Sequence, residues 1–250
     1  MGLSHSPRIV TDGLVFCVDA GDKMSYPGAG TTWTDLSHNP TNFTLLNGAS
    51  YDNDKSISFD GSDEYASGVN DLSNVSLSNG FTISFWFKPT IEGRGRYILS
   101  IENAASESVL RVYQMPEFAG YISCVFRGTG SPAYGGYSEG GPGSSWPVGE
   151  WYHATFVHRG TTNKNDLDWY FNAVESIARG WTYRNRYIQG SLSDSYTPDG
   201  RITIGWGAFS PGGGSSRYYN GLLSNLQIYN RALTDDEITQ NYNATKWRFQ

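Results

Sequence analysis

The sequence predicts an all-β fold, an antiparallel β-sandwich closed by one short C-terminal helix, and three observations predict it. Only 17% of the 250 residues are charged, 15% are aromatic and Gly numbers 30. Scarce Lys and Glu beside abundant Tyr, Trp, Thr, Ser and Gly favours strands and turns over helices. Short alternating segments are separated by Pro, Ser and Gly clusters spread evenly with no linker, which is the spacing of a sandwich. Finally, residues 221–250 (GLLSNLQIYNRALTDDEITQNYNATKWRFQ) join a strand, a tight turn and a short helix with almost no slack. A single domain of this length buries roughly 70–75% of its unfolded surface and needs no staple.

Residues 13–20 (GLVFCVDA) form the first strand, and 56–59 (SISF) another that runs into a turn at Asp60-Gly61-Ser62-Asp63. Clean alternation in 81–88 (FTISFWFK) places Phe81, Ile83, Phe85 and Phe87 inward and Thr82, Ser84, Trp86 and Lys88 outward. Residues 97–102, 109–114 and 120–127 continue the meander. Residues 151–158 (WYHATFVH) and 167–171 (LDWYF) form a pair across the polar loop 159–166, and 201–205 (RITIG) follows. In the last strand, Leu222, Ser224, Leu226 and Ile228 share one face, and Leu223, Asn225, Gln227 and Tyr229 the other. Thr234-Asp235-Asp236-Glu237 then reads as a capping box, with two acids suited to the positive end of the helix dipole.

Composition also excludes functions. A net charge of −6 offers no phosphate-neutralising term, so neither nucleic acid nor an anionic membrane is an expected partner. No apolar run approaches the length of a membrane span. The start, MGLSHSPRIVTDGLVF, lacks the charged, apolar and cleavage regions of a signal peptide. Cys17 and Cys124, the only cysteines, each lie in a strand-like stretch and read as buried thiols, with a disulfide left open.

Several segments, in order along the chain, resemble the laminin-G-like branch of the concanavalin A-like lectin/glucanase family. They are Gly13-Leu14-Val15-Phe16, Trp33-Thr34-Asp35-Leu36-Ser37, the turn Phe59–Tyr65, Gly80–Trp86, Trp151-Tyr152-His153, Ile202–Gly205 and Ile228–Leu233. The ending Gln240–Lys246 (QNYNATK) is most similar to members found in tailed-phage structural proteins. The resemblance implies a concanavalin A-like jelly roll, two antiparallel sheets face to face, over residues 13–250. Residues 1–12 are expected to precede it as an N-terminal arm.

The glucanases of this family use two glutamates around an aspartate on one strand, and no such triplet occurs. Asp166-Leu167-Asp168 has no glutamate, and Glu102 and Glu107 fall in a loop-like ENAASES stretch. His5, His38, His153 and His158 show no metal spacing; His153 reads as a packed core histidine. The glycine-rich stretches 135–143 and 212–214 read as loops. Many relatives bind calcium near the Phe59-Asp60-Gly61 turn with an aspartate from the closing strand. Ser224 holds that position here, which leaves Asp60, Asp63 and Glu64 as weak calcium candidates and no cofactor as the expectation.

Recognition signals are aromatic. Residues 131–146 carry Tyr134, Tyr137 and Trp146 in a long glycine-rich loop, and 178–187 set Arg179, Arg184 and Arg186 among Trp181, Tyr183 and Tyr187. Tyr, Trp and Arg are enriched at interfaces, and long loops in compact domains are often functional. The expected function is a non-enzymatic virion structural, decoration or fibre protein of a tailed phage, made in the host cytoplasm. It would contact capsid or tail proteins, form a homo-oligomer on a symmetric particle, and reach cell-surface glycans. The alternative is a carbohydrate-binding module acting in glycan adhesion.

Overall fold

The computed structural model describes residues 8–38, 41–53, 55–69, 72–90, 96–105, 108–114, 121–127, 134–142, 147–160, 163, 166–176, 182–188, 198, 200–207 and 218–249. For 127, 134–137 and 182–188 it describes the backbone alone. Two antiparallel sheets pack face to face. The eight-stranded sheet runs β14 (Val174–Glu175), β13 (Leu167–Phe171), β12 (Tyr152–His158), β7 (Phe81–Pro89), β17 (Asn220–Tyr229), β5 (Ser56–Asp60) and β4 (Ser50–Asp52), with β1 (Leu14–Val18) also paired to β17. The nine-stranded sheet runs β15 (Thr182–Ile188), β11 (Tyr134–Gly141), β10 (Ile122–Arg127), β9 (Ser108–Gln114), β8 (Tyr97–Glu102), β16 (Arg201–Ile204), β6 (Tyr65–Val69), β3 (Asn42–Leu46) and β2 (Thr32–Thr34). Phe81, Ile83, Phe85 and Phe87 meet Leu99, Ile101, Leu110, Val112, Cys124, Phe126, Ile202 and Ile204 in one continuous core. Cys17 and Cys124 are free and buried, as expected.

Thr82, Ser84 and Trp86 are not solvent-facing; each is 1% exposed or less. The main chain at Arg231 and Leu233 bonds the Thr82 hydroxyl, His153 and Thr155 bond Ser84, and the helix α1 (Asp235–Thr245) with the turn Lys246–Arg248 and Phe249 lies over Trp86. Trp86 stacks on Tyr242 at 5.7 Å and Phe249 at 4.6 Å, and its indole N–H donates to Thr245 Oγ1 at 2.9 Å. Alternation separates two faces but does not say which is wet, and this sheet is covered on both. Thr234 and Glu237 close the expected capping box.

The last strand departs from strict alternation. A bulge between Ser224 and Gln227, with Asn225 at φ +46°, moves Leu223, Leu226 and Ile228 onto the core side instead of the Leu222-Ser224-Leu226-Ile228 set. The bulge sits where β17 changes partner on its far edge, from β5 at Asn220–Leu223 to β1 at Leu226–Tyr229. Asn225 is thereby buried. It donates to Asp19 Oδ2 at 2.9 Å and accepts from Gln227 at 2.8 Å, while the Tyr229 hydroxyl shares its single proton between Gln227 Oε1 at 2.9 Å and the Val10 carbonyl at 3.0 Å. Arg248 pairs with the same Asp19 oxygen, Oδ2.

Of the expected arm, residues 1–7 lie outside the described residues, and 8–12 lie against α1. Val10 is 8% exposed, its N–H donates to Asn241 Oδ1 at 2.8 Å, and its carbonyl accepts from the Tyr229 hydroxyl at 3.0 Å. Arg231 bridges Asp12 at 2.9 Å and Glu237 at 2.7 Å.

Candidate functional site

Strand register defines the outer face of the nine-stranded sheet. Thr32, Thr44, Ser67, Thr203, Ser100, Arg111 and Val125 are successive cross-strand partners in one row. Their sequence neighbours Trp33, Phe43, Ala66, Ile202, Leu99, Leu110 and Cys124 point into the core, so the row faces away from it. A second row holds Tyr97, Tyr113, Ser123 and Glu139. Arg111 (5% exposed), Tyr113 (8%) and Glu139 (0%) are closed to solvent. Burial pushes the Tyr113 phenol up to about 12, against the lowering pull of the Ser123 hydroxyl and of Arg111.

At one end of this face, three half-buried rings come together. Tyr65 lies on the outer face of β6, Trp206 just past β16 and Tyr218 just before β17. Ring centroids are 5.5 Å apart for Tyr65 and Trp206, 6.3 Å for Tyr65 and Tyr218, and 6.2 Å for Trp206 and Tyr218, the last pair 24° from parallel. Arg96 Nη1 fixes the Tyr218 main chain by donating to its carbonyl at 2.8 Å, and Thr203 Oγ1 holds the Trp206 carbonyl at 2.8 Å. The Arg201 guanidinium lies 5.3 Å from the Trp206 ring centre and bonds Glu102 Oε1 at 3.0 Å. Half-exposed Ser67 and exposed Thr44 stand beside the rings on the same face. No sequence signal gathered this platform: its rings come from three segments that only the topology joins.

The residues singled out in the sequence fall elsewhere on the same sheet. The segments expected to be loops are strands: 134–141 is β11 and 182–188 is β15, and the two pair with each other. Glycine's weak strand propensity hid β11. Yet at Gly140 a Cβ would come within 2.6 Å of the Trp169 ring, so bare backbone is required there. Tyr134 and Tyr137 thus share a two-strand edge with Tyr183, Arg184 and Arg186, and a bulge sets Arg184 and Asn185 opposite Glu139. Trp146, Arg179 and Trp181 lie outside the described residues.

Among the described residues, Glu102, Asp168, His153 and His158 have structural partners. Glu102 ends β8 rather than lying in a loop, and pairs with Arg201; Glu107 lies outside the described residues. Glu139 sits three strands away and five residues along β9 from the Glu102 register (Tyr113 against Ser108). At ~4.8 Å per strand and ~3.3 Å per residue, that is about 20 Å, beyond the ~5–9.5 Å that separates a glycosidase pair. Asp168 bonds Arg159 at 3.0 Å, and Arg159 and Tyr170 tie it to Asp235 at the start of α1. Burial pushes His153 down to about 3, so it is neutral, and it packs on Trp86 and Tyr242. His158 packs on Phe81 and Phe126.

The calcium candidates serve their own turn. Glu64 accepts from the Asp60 N–H at 2.7 Å and Asp60 from the Ser62 N–H at 2.7 Å, while Asp63 offers its carbonyl to Asn47 at 2.9 Å. Burial raises the Glu64 carboxyl. The Ser224 hydroxyl donates to the Lys55 carbonyl at 2.7 Å and brings no charge. Among the described residues no group of three His, Cys, Asp or Glu could hold a metal ion. Two clefts, of about 420 Å³ near Asp12, His38 and Asn230 and about 280 Å³ near Asp19 and Arg248, are lined without Tyr or Trp.

The laminin-G-type family profile, described as the concanavalin A-like lectin/glucanases superfamily, matches residues 59–239. The chain belongs to that superfamily. Its span takes in Tyr65, Trp206 and Tyr218 as well as β11 and β15. No curated protein matches in sequence. Solved structures of botulinum neurotoxin binding domains share the superfamily fold. The serotype D domain is 11% identical with a TM-score of 0.67, covering 94% of this chain and 53% of that one. The type C structure, described as showing cell entry dependent on two ganglioside molecules, is 14% identical with a TM-score of 0.64, covering 93% and 51%. The DC domain in complex with SialylT is 12% identical with a TM-score of 0.62, covering 94% and 52%. The chain therefore spans about half the length of these structures.

Proposed function

We propose that this chain is a non-enzymatic glycan-recognition domain, working as a virion structural, decoration or fibre protein of a tailed phage. The observation that carries the glycan reading is the Tyr65–Trp206–Tyr218 platform with Ser67 and Thr44 beside it: apolar rings for the C–H face of a sugar, hydroxyls for its own hydroxyls. Aromatic rings next to a few placed polar groups are the usual composition of a recognition site. The ganglioside- and SialylT-binding relatives support the same use of the fold. The wide separation of Glu102 and Glu139 argues against hydrolysis of the bound sugar.

The virion setting rests on the likeness of Gln240–Lys246 to tailed-phage structural proteins and on the acidic, mildly self-repelling composition. Capsid or tail proteins would then dock on the β11–β15 edge, whose Tyr134, Tyr137, Tyr183, Arg184 and Arg186, with Trp146, Arg179 and Trp181, form the partner-binding set. Binding proceeds without calcium, because the closing strand presents Ser224. A glycan array on the purified protein, run with calcium and again with a chelator, tests this. Binding in both conditions is expected. Loss on chelation would restore a calcium site, and silence in both would remove the glycan reading.

A further inference from the structure

The charges around the rings bear on which glycans the platform takes. We infer that it selects uncharged sugars and rejects sialylated and uronic-acid glycans, an inference that rests on the glycan-binding reading above. Among the described residues, two cations stand near the rings. Arg96 is turned to the main chain, donating through Nη1 to the carbonyls of Tyr218 at 2.8 Å and Gly61 at 3.4 Å. Arg201 is the one that reaches the ring face, 5.3 Å from the centre of Trp206, with its side chain 42% exposed. Its charge is already matched. Glu102 bonds it at 3.0 Å from below, with a side chain only 6% exposed.

A carboxylate set that deep is poorly screened by water, so an incoming anion meets the Arg201–Glu102 pair as a nearly neutral dipole. Removing the carboxylate would convert the same spot into a net cation. The turn leading into Tyr65 adds Asp60, Asp63 and Glu64, and residues 56–69 contain no Lys or Arg. Among the described residues, an anionic sugar laid on the rings therefore meets the nearly neutral Arg201–Glu102 pair, the Arg96 charge held on two carbonyls, and the three carboxylates of the turn. An uncharged sugar loses nothing by this arrangement. It stacks on the rings and finds the Ser67 and Thr44 hydroxyls, neither of which carries charge.

The test is an array of matched glycans, each uncharged one printed beside its sialylated or uronic-acid counterpart, probed with wild type and with Glu102→Gln at low and high salt. Glu102→Gln keeps one oxygen to accept from Arg201, exchanges the other for an amide NH2 and removes the charge. Wild type is expected to bind the uncharged members, with little dependence on salt. Glu102→Gln is expected to gain about tenfold for the acidic members, a gain that added salt erases, while binding to the uncharged members stays put. Wild-type preference for the acidic member of each pair would overturn the inference and leave the glycan reading standing. So would acidic binding unchanged in a folded Glu102→Gln. Binding to neither class would end the glycan reading and this inference with it. Should the variant not fold, the wild-type pairs carry the test alone.

Discussion

Deleting residues 1–12 is expected to destabilise the domain by more than deleting 1–7. Val10 is 8% exposed in the small core between α1 and the eight-stranded sheet, beside Tyr229, Leu233 and Ile238. Burying a valine side chain contributes about 1.5–3 kcal/mol. Two hydrogen bonds go with it, from the Val10 N–H to Asn241 and from the Tyr229 hydroxyl to the Val10 carbonyl, at roughly 0.5–1.5 kcal/mol each. The Arg231–Asp12 pair adds little, because the Asp12 side chain is 86% exposed. The loss comes to about 4 kcal/mol, and for a chain of this size that lowers Tm by about 8–16 °C. Thermal and urea unfolding of the full chain and both truncations, followed by tryptophan fluorescence, measures it. Equal stability for the full chain and the 1–12 deletion would refute the docking of Val10 and restore a free arm through residue 12.

Two further outcomes follow from buried polar groups. Asn225→Asp sets a second carboxylate against Asp19, 2.9 Å away and buried; urea titration is expected to show a loss of about 3 kcal/mol, with Asn225→Gly losing clearly less because it keeps the positive φ. Glu237 is held down at about 2, first by its hydrogen bond from Arg231. A depressed carboxyl contributes stability above its unfolded value, near 4.5, and loses it as pH falls toward 2. With the side chain 26% exposed, the effect is about 1 kcal/mol after solvent screening. Wild type should therefore converge on Glu237→Gln between pH 4.5 and 2, and parallel curves would contradict the pairing.

Much of the fold was legible in the sequence because it rests on local pattern. The capping box at Thr234, the β12–β13 pair and the phenylalanine face of β7 each follow from residues a few positions apart. What stayed hidden depended on distant partners. Thr82 and Trp86 look like a wet face until the chain from Arg231 to Phe249 lies across them, and the helix's destination is not written in its own residues. The bulge at Asn225 inverts the faces of β17 because two different strands share its far edge. At β11, glycines that read as a loop are a strand pressed on Trp169. The platform itself unites residues 65, 206 and 218, so no motif could have announced it; the aromatic-rich stretches that did stand out lie on another edge of the same sheet.

The most direct measurement of the central claim is the affinity of Trp206→Ala for whichever glycan the array identifies, with thermal unfolding to show that the fold persists. Loss of a central tryptophan anchor costs about 2 kcal/mol, so binding is predicted to weaken by about 30-fold, with Tyr134→Ala close to wild type. Undiminished binding by a folded Trp206→Ala would show that the recognition site lies elsewhere.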